Sequence, residues 1–236
     1  MKRPAWQPAG VTTQFLFLTE EGTVRACGDG RDGQLGHGNR RHELVPARLG
    51  MQALGGRRAV MVAAGWEHTA AAMQDGTVYT WGRGVDGERG HGNTQDMLVP
   101  TVLEIASFGG IKGIMGACGS LYTAVLGADD GTWTFGSGGS GLLGHGYEVC
   151  KLVPTRIDSA HFHGSRMAMV AAGGKHTIRM VPKAKETRSR GRMVRCWRVM
   201  YCAHHGVSQG MPGQVHSLTK ATQPHSYMSL LHWVIA

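Results

Sequence analysis

Short apolar runs alternate with polar turns along the first two thirds of the chain. Residues 15–18 (Phe-Leu-Phe-Leu) precede Glu-Glu-Gly, and a second β-prone run follows at 23–27. Two further pairs of runs flank an Asp-Gly dipeptide, and they occupy residues 69–73 with 77–81 and residues 123–126 with 132–135. Because Asp-Gly and related dipeptides favour the tight turns of β-hairpins, each pair is predicted to form one hairpin.

Two more strands are predicted between successive hairpins. A Leu-Val-Pro tripeptide recurs, with its prolines at Pro46, Pro100 and Pro154. Proline cannot donate to a sheet ladder, so these segments are predicted to be edge strands or connections. A further apolar run then follows each tripeptide, at residues 60–64, 114–117 and 167–172. The pattern therefore predicts about four strands per unit and little helix.

A glycine-rich segment recurs at a constant step of 54 residues, which is the distance between His37 and His91 and between His91 and His145. A fixed period near 50 residues indicates stacked supersecondary units, each unable to bury its apolar face alone. We therefore predict that residues 22–73, 76–125 and 131–177 each form a four-stranded antiparallel unit. The predicted fold class is all-β: a partial β-propeller of about three four-stranded antiparallel blades, followed by a basic, poorly ordered C-terminal segment.

The recurring motifs together resemble the regulator of chromosome condensation repeat. They are Asp/Glu-Gly-Thr, Gly-x-x-Gly-x-Leu-Gly-His-Gly, Leu-Val-Pro and Ala-x-Gly-x-x-His-Thr, and they extend over residues 13–181. The resemblance implies a β-propeller, and it predicts a lead-in at 1–12, repeats at 13–181 and a basic, degenerate segment at 182–236. Known members close seven blades, whereas this sequence carries about half that number of repeats. Members range from an exchange factor for the Ran small GTPase to interaction modules of ubiquitin ligases, so the resemblance does not fix the activity.

Composition shows that charge is unevenly distributed along the chain, and it indicates the cellular compartment. The net charge is +9, yet residues 1–177 hold 16 Lys and Arg against 15 Asp and Glu, while residues 178–236 hold 9 against 1. The five cysteines are odd in number and lack framework spacing, which is typical of reduced thiols. Neither a signal-peptide core nor an 18-residue apolar run is present in the sequence. We expect an intracellular protein, cytoplasmic or nuclear, without a membrane partner.

Several repeated positions are predicted to be structural. The glycines that end the second strand of each hairpin are Gly28, Gly82 and Gly136. Trp81 and Phe135 precede two of these glycines and are predicted to be core residues, with Cys27 as the smaller equivalent. Although each glycine begins a Gly-x-Gly-x-x-Gly match, no helix follows, so we expect no dinucleotide site and no cofactor. The histidines of Gly-His-Gly would lie on separate blades and are expected to bond to local backbone, not to a metal.

Other histidines and cysteines give weak indications of chemistry. His68 and His176 occupy one repeat position, where the intervening copy has Tyr122. Exchange of His for Tyr indicates a buried polar ring with one hydrogen bond and argues against a general base. A segment from Cys196 to His205 contains metal-ligand residue types without ordinary zinc spacing. With no nucleophile–base pair or paired carboxylates, the sequence predicts a protein that is not an enzyme.

Trp66 and Glu67 are the candidate partner-binding residues. The segment Gly-Trp-Glu-His-Thr resembles the Gly-Trp-Arg-His-Thr segment of a light-absorbing member of the repeat family. The residues equivalent to Trp66 in the next two copies are Ser120 and Gly174. Glu67 replaces the arginine of the similar segment with a residue of opposite charge. A single indole cannot form a coupled tryptophan cluster, so a packed or exposed tryptophan on a blade face is favoured over photoreception.

A basic run follows the repeats and is the candidate polyanion-binding segment. Its eight cations, interrupted only by Glu186, are Arg179, Lys183, Lys185, Arg188, Arg190, Arg192, Arg195 and Arg198. Such a run can contact phosphates without sequence preference, and it can equally be a nuclear import signal, bind an acidic partner or serve as a solvated connector. Weak contact with nucleic acid or chromatin is therefore one hypothesis for this segment.

These observations favour a non-catalytic protein-interaction scaffold that uses the blade-end loops of a propeller-type domain. The partner is expected to be a protein of unidentified class. The alternative is guanine-nucleotide exchange on, or chromatin-associated regulation of, a Ran-like small GTPase. In the family that activity depends on loops of the complete propeller, and no residue of this sequence matches those loops.

Overall fold

The computed structural model describes residues 13–162, 167, 169–173, 177–182, 187–189, 192–194 and 197–202. Within these ranges the chain is built from short strands and single-turn 3-10 helices. The first sheet contains β1 (Gln14–Leu18), β2 (Val24–Gly28) and β3 (Glu43–Arg48). The second contains β4 (Ala59–Ala64), β5 (His68–Met73), β6 (Val78–Gly82) and β7 (Met97–Leu103). The third contains β8 (Gly113–Cys118), β9 (Tyr122–Gly127), β10 (Thr132–Gly136) and β11 (Lys151–Arg156).

Five more C-terminal strands and four 3-10 turns complete the described elements. A fourth sheet joins β12 (Met169–Ala172), β13 (Thr177–Pro182) and β16 (Trp197–Cys202), and a separate hairpin joins β14 (Thr187–Ser189) to β15 (Arg192–Val194). The 3-10 helices are Met51–Leu54, Ile105–Phe108, Gly139–Gly141 and Ser159–Phe162. The predicted all-β fold with antiparallel blades is confirmed, with two four-stranded sheets between two three-stranded ones. In the same ranges, no helix is long and apolar enough to cross a bilayer.

The hairpins form where the glycine turns predict them. β5 pairs with β6 in antiparallel register, with Thr69 opposite Trp81 and Ala72 opposite Val78. Gly76 closes the turn with φ of +89°, a conformation that L side chains adopt only with strain. Asp75 supports the turn by accepting the Thr77 amide at 2.9 Å. The proline-containing strands β3, β7 and β11 lie at the outer edges of their sheets, as predicted.

The prediction that each repeat forms one four-stranded sheet was wrong, because each repeat spans parts of two sheets. Residues 22–73 do not form one sheet, because β2 and β3 belong to the first sheet while β4 and β5 belong to the second. Each 54-residue repeat therefore contributes the last two strands of one sheet and the first two strands of the next. A periodic sequence has the same period from any starting point, so the period predicts the number of units and not where each sheet begins. This offset ties consecutive sheets together covalently.

Consecutive sheets pack through the glycine-rich turns. Gly33, in the turn of the first sheet, has φ of +77°, and a Cβ on it would lie 2.5 Å from Cδ2 of Leu98 in β7. Gly36 of the same turn has no room for a side chain, because its Cβ would lie 2.7 Å from the indole nitrogen of Trp81. One repeat later, Leu152 closes over Gly87 and Phe135 over Gly90 in the same way. The packing of consecutive sheets thus requires glycine at these turn positions.

Trp81 and Phe135 are core residues, as predicted, and both are 0% exposed. The indole N–H of Trp81 also donates to the backbone carbonyl of Gln34 in the preceding sheet at 2.8 Å. Cys27 is only half-buried, so its predicted core role was wrong. The physical reason is that no glycine turn of a preceding sheet covers it among the described residues.

A row of buried polar side chains links the sheets at one repeat position. Gln14 donates from Nε2 to the carbonyl of His68 at 2.9 Å, and His68 Nε2 lies 2.8 Å from the hydroxyl of Thr123. Tyr122, at the same position one repeat on, donates to the carbonyl of Gly173 at 3.3 Å. Complete burial lowers the pKa of His68 to about 3, so its ring is neutral. The buried, hydrogen-bonded ring predicted for His68 is confirmed, while His176 lies outside the described residues.

The C-terminal strands extend beyond the repeats that the sequence pattern predicts. The sequence shows neither helical nor strand periodicity after residue 198. In the structure, however, β16 pairs with β13, from Thr177 opposite Cys202 to Pro182 opposite Trp197. The sequence carries only a remnant of a fourth copy, at residues 191–198, and the pattern failed here because this remnant is out of step with the 54-residue period. The predicted boundary between 181 and 182 lies inside β13. Of the basic run, Arg179, Arg188, Arg192 and Arg198 lie on described strands, whereas Lys183, Lys185, Arg190 and Arg195 fall outside the described residues.

Candidate functional site

The candidate partner-binding loop and the glycine-rich turns lie at the same end of the sheets. β4 ends at Ala64 and β5 begins at His68, so residues 65–67 connect them at that end. The turn from Arg83 to Asp96 connects β6 to β7 at the same end. The Asp75-Gly76 hairpin lies at the opposite end. Trp66 and Glu67 therefore lie beside the glycine turns, on what we call the turn face.

Trp66 is exposed on the turn face, with 48% of its surface accessible. Its backbone is held, because the Thr13 hydroxyl donates to the Trp66 carbonyl at 3.2 Å. The preceding Gly65 is enclosed, since a Cβ there would lie 2.4 Å from Cε1 of His68. The loop thus places an exposed indole on a fixed backbone.

Paired charges follow Trp66 on the turn face. Glu67 forms an ion pair with Arg83, and the Arg83 amide also donates to the Glu67 carbonyl at 2.9 Å. Burial, followed by repulsion from Glu67 and Asp96, raises the pKa of the nearby Asp32 carboxyl. Arg40, in the glycine-rich turn of the first sheet, forms an ion pair at 2.8 Å with Asp96, in that of the second sheet.

This arrangement has the composition of a protein-binding surface. An exposed tryptophan next to paired charges can lose its water contact when a partner covers it, and the charges can select that partner. The equivalent loop in the third sheet has Ser120 in place of Trp66 and Ser137 in place of Arg83. The surface is therefore specific to the junction of the first two sheets. Sequence reasoning found Trp66 and Glu67 but missed Arg83 and Asp32, which only the packing of the turn brings beside the loop.

A shallow cleft at the opposite end offers no comparable set of free groups. It measures about 290 Å³ and is lined by Arg57, Arg58, Gln74 and Asp75. Arg57 pairs with Asp75 at 2.8 Å and donates to the Tyr79 hydroxyl at 2.9 Å. Arg58 donates to the Glu20 carbonyl. Because its arginines already bind the protein itself, the cleft is explained by local structure.

Two buried charged residues lie in the turn of the second sheet, and the sequence analysis missed both. Glu88 is 1% exposed and Arg89 is 0% exposed. The equivalent pairs in the other turns are uncharged, Gln34-Leu35 and Leu142-Leu143. The Asp86 amide donates to one Glu88 oxygen at 2.8 Å, while burial raises the pKa of the carboxyl from 4.5 to about 7. Aligning the three copies would have shown the substitutions, but not that the side chains remain inside.

Replacing Glu88 with Gln, the residue of the first turn, should remove a pH dependence of stability. The folded protein retains a proton on Glu88 that the unfolded chain releases between pH 4.5 and about 7. The free energy of unfolding should therefore fall across that window, by about 3 kcal/mol, and stay level above it. Urea titrations of the parent protein and Glu88→Gln at pH 5, 6, 7 and 8 measure the difference. Parallel curves for the two proteins would show that the pKa of Glu88 is not raised in the folded protein.

The histidines of the Gly-His-Gly turns remain at equivalent places in three separate turns. His145 bonds a side chain instead of the predicted backbone, with Nε2 3.1 Å from the Thr134 hydroxyl, and its ring stacks on Tyr147. Burial lowers the pKa of both His91 and His145. His37 is half-buried. Within the ranges that the structure describes, no group of three or more His, Cys, Asp or Glu side chains is arranged to hold a metal ion.

Comparison with known proteins agrees with the geometry. The model of the regulator of chromosome condensation (RCC1) repeat matches residues 21–72, 75–126 and 129–179. The chain is 38% identical over 170 residues to the ultraviolet-B receptor UVR8 of Arabidopsis thaliana, covering 72% of this chain and 37% of the receptor. It is 37% identical over 164 residues to the human E3 ubiquitin-protein ligase HERC2, covering 69% of this chain and 3% of the ligase. The chain thus spans little more than a third of UVR8 and a small part of HERC2.

Solved structures show the same fold at lower identity. Prp20p of Saccharomyces cerevisiae, described with its binding to Gsp1p and histones, superposes with a TM-score of 0.65 at 22% identity. The match covers 77% of this chain and 44% of Prp20p. A second structure, Kap60 bound to yeast RCC1 (Prp20), gives a TM-score of 0.64 at 23% identity, over 74% of this chain and 41% of the other.

Proposed function

The chain belongs to the regulator of chromosome condensation repeat family, and from that premise we propose that it is a non-catalytic protein-interaction scaffold that binds a partner protein through its turn face. Relatives as different as an ultraviolet-B receptor and a ubiquitin ligase contain similar repeats. Because their activities differ, the role that the repeats themselves can share is that of an interaction scaffold. We place this role inside the cell, in the cytoplasm or nucleus, because the cysteine pattern is typical of reduced thiols.

One observation carries the proposal: Trp66 is 48% exposed on a backbone held by Thr13, beside the Glu67–Arg83 ion pair. Tryptophan is enriched among the residues that dominate binding energy at protein interfaces, and an indole held exposed on a fixed backbone is available to a partner. The charges beside it contribute partner selection and association rate.

The test compares proteins retained by the immobilised parent chain with those retained by Trp66→Ala and Glu67→Arg. Neither substitution alters a core position, so both variants should melt within about 2 °C of the parent. Ile114→Ala, which truncates an exposed apolar residue on β8, is the matched control. We expect a partner retained by the parent and the control and lost from both turn-face variants. Retention unchanged by either substitution would rule out the turn face as the binding surface.

The alternative function is guanine-nucleotide exchange on a Ran-like small GTPase, or chromatin-associated regulation of one. It is supported by the structural likeness to Prp20p, a protein described as binding Gsp1p and histones. Release of labelled GDP from a Ran-type GTPase, with and without this chain, distinguishes the two proposals. An increase in the release rate that is proportional to chain concentration would favour the exchange function over a passive scaffold.

We also propose that the basic run gives weak, sequence-independent contact with nucleic acid or chromatin. If about six of its cations meet phosphates, log K should fall with log salt at a slope of roughly −5 on duplex DNA. Removing three charges with Arg188→Gln, Arg190→Gln and Arg192→Gln should reduce that slope to roughly −3. Filter binding at several salt concentrations measures both slopes. Substitution is preferred to truncation because β13 and β16 pair with each other in this region. Equal slopes would identify the run as a solvated connector.

A further inference from the structure

The turn of the second sheet encloses a cation that has no counter-ion among the described residues. Arg89 is 0% exposed, and none of its nitrogens lies within ion-pair distance of a carboxylate in that part of the chain. Nη2 donates to Asn93 at 3.0 Å, while Nε and Nη1 have no hydrogen-bond partner among the same residues. A buried charge of this kind destabilises a fold unless an opposite charge or a hydrogen-bond acceptor meets it.

Two carboxyl groups lie close enough to Arg89 to favour its charged form, those of Glu88 and Asp96, and neither pairs with it. Asp96 is already bound through both oxygens, since Oδ2 pairs with Arg40 at 2.8 Å and Oδ1 accepts the Gly84 amide at 3.1 Å. One Glu88 oxygen accepts a backbone amide at 2.8 Å. Because burial raises the pKa of the Glu88 carboxyl to about 7, it is largely uncharged below neutral pH. The turn therefore supplies no side chain that neutralises the guanidinium.

His91 adds a second unsatisfied group to the same turn. Both of its ring nitrogens are buried without a hydrogen-bond partner among the described residues. Burial and then repulsion from Arg89 lower the pKa of the ring, so the imidazole is neutral and lies within electrostatic reach of the guanidinium. A neutral imidazole carries one N–H donor. The equivalent His145 does have a partner, because its Nε2 lies 3.1 Å from the Thr134 hydroxyl.

The repeat geometry itself does not require these donors. The residues equivalent to Arg89 are Leu35 and Leu143, and each is 1% exposed. Leucine therefore fills this position in the other two turns and brings no polar atom into them. Buried polar groups in folded proteins are almost always hydrogen-bonded, to protein, to ordered water or to an ion. The unpaired donors of Arg89 and His91 thus indicate a ligand that accepts hydrogen bonds and carries negative charge.

We propose that the turn of the second sheet binds chloride between the guanidinium of Arg89 and the ring of His91. The N–H groups of Nε and Nη1 and the imidazole N–H donate to the anion, and the charge of Arg89 strengthens these hydrogen bonds. A halide suits the site better than a larger oxyanion because the guanidinium is enclosed: even a Cβ on Gly84 would meet Nε. The site does not involve Trp66, so it goes beyond the proposed scaffold function and stands or falls separately from it.

Thermal melts of the full chain in sodium chloride and in sodium gluconate, at equal ionic strength, test the site. Gluconate is too large to enter an enclosed turn. If the dissociation constant is about 10 mM, exchanging about 100 mM gluconate for chloride should raise the Tm of the parent by about 3–6 °C. Arg89→Leu should lose this rise, whereas Arg31→Leu, at a surface arginine, should keep it. No rise in the parent, or an equal rise in Arg89→Leu, would overturn the proposal and leave water as the hydrogen-bond partner.

Chlorine NMR measures the binding directly and needs no variant to detect it. Exchange between bulk solution and a protein site broadens the chloride resonance, so the parent chain should broaden the line and added bromide should reverse the effect. Arg89→Leu and His91→Phe should each reduce the broadening at least about threefold, whereas Arg31→Leu and Trp66→Ala should retain it. Broadening that bromide does not reverse, or that is equal in all of these variants, would show chloride at the protein surface only and would contradict the assignment.

Discussion

Replacing Arg89 with Leu is expected to raise the free energy of unfolding by about 3 kcal/mol. The guanidinium is fully buried in the turn of the second sheet, where Nη2 donates to Asn93 at 3.0 Å while Nε and Nη1 have no hydrogen-bond partner among the described residues. Burial lowers its pKa, which is the expected response of a cation removed from water. The equivalent Leu35 and Leu143 are each 1% exposed, so leucine fits this turn.

Thermal melts and urea titrations of Arg89→Leu and the parent measure this effect. For a domain of this size the gain corresponds to a rise in Tm of about 6–12 °C. Arg31→Leu is the control, because Arg31 is a surface arginine with a side chain 72% exposed, and its loss should change stability by less than about 1 kcal/mol. A neutral or destabilising result for Arg89→Leu would show that the guanidinium makes compensating interactions in the turn.

Truncating Trp81 to Ala should cost about 3–5 kcal/mol. The indole is 0% exposed, fills the contact with Gly36 of the preceding turn and donates to the Gln34 carbonyl. The substitution therefore leaves a cavity between two sheets and an unpaired acceptor. Because this contact joins the first sheet to the second, the loss should appear as a lower Tm and as faster amide exchange in both sheets.

Two comparisons make the Trp81 result specific. Cys27→Ala changes the equivalent, half-buried position of the first sheet and should cost less than about 1 kcal/mol. Trp81→Phe retains most of the apolar volume but removes the hydrogen bond, and it should give an intermediate loss. A Tm for Trp81→Ala within a degree or two of the parent would contradict the packing described for the sheet contact.

The hairpins and turns could be predicted from the sequence because their chemistry is local. Gly76 lies at a positive φ that L side chains adopt only with strain. Pro100 has no backbone N–H to donate, so its strand is expected at the edge of a sheet. The grouping of strands into sheets could not be predicted, because the 54-residue period carries no phase. Strand β16 was missed for a different reason: the fourth copy is out of step, and its pairing with β13 is a long-range contact.

The candidate site was predictable only in part. Trp66 and Glu67 lie in a segment that resembles one of a light-absorbing family member, and that resemblance identified them. Arg83 follows Gly82 in sequence and is 16 positions from Glu67, so its ion pair depends on the turn returning to the loop. Leu44 carries the same motif as Leu98, and only the structure shows that one is exposed and the other covered.

The most direct test of the scaffold account is the affinity of one purified partner for the parent chain and for Trp66→Ala, measured by titration calorimetry with Ile114→Ala as the control. The partner is the protein that the immobilised parent chain retains in the largest amount. The account predicts that Trp66→Ala weakens binding at least about tenfold while Ile114→Ala leaves the dissociation constant unchanged. Equal affinities of the parent chain and Trp66→Ala would contradict it.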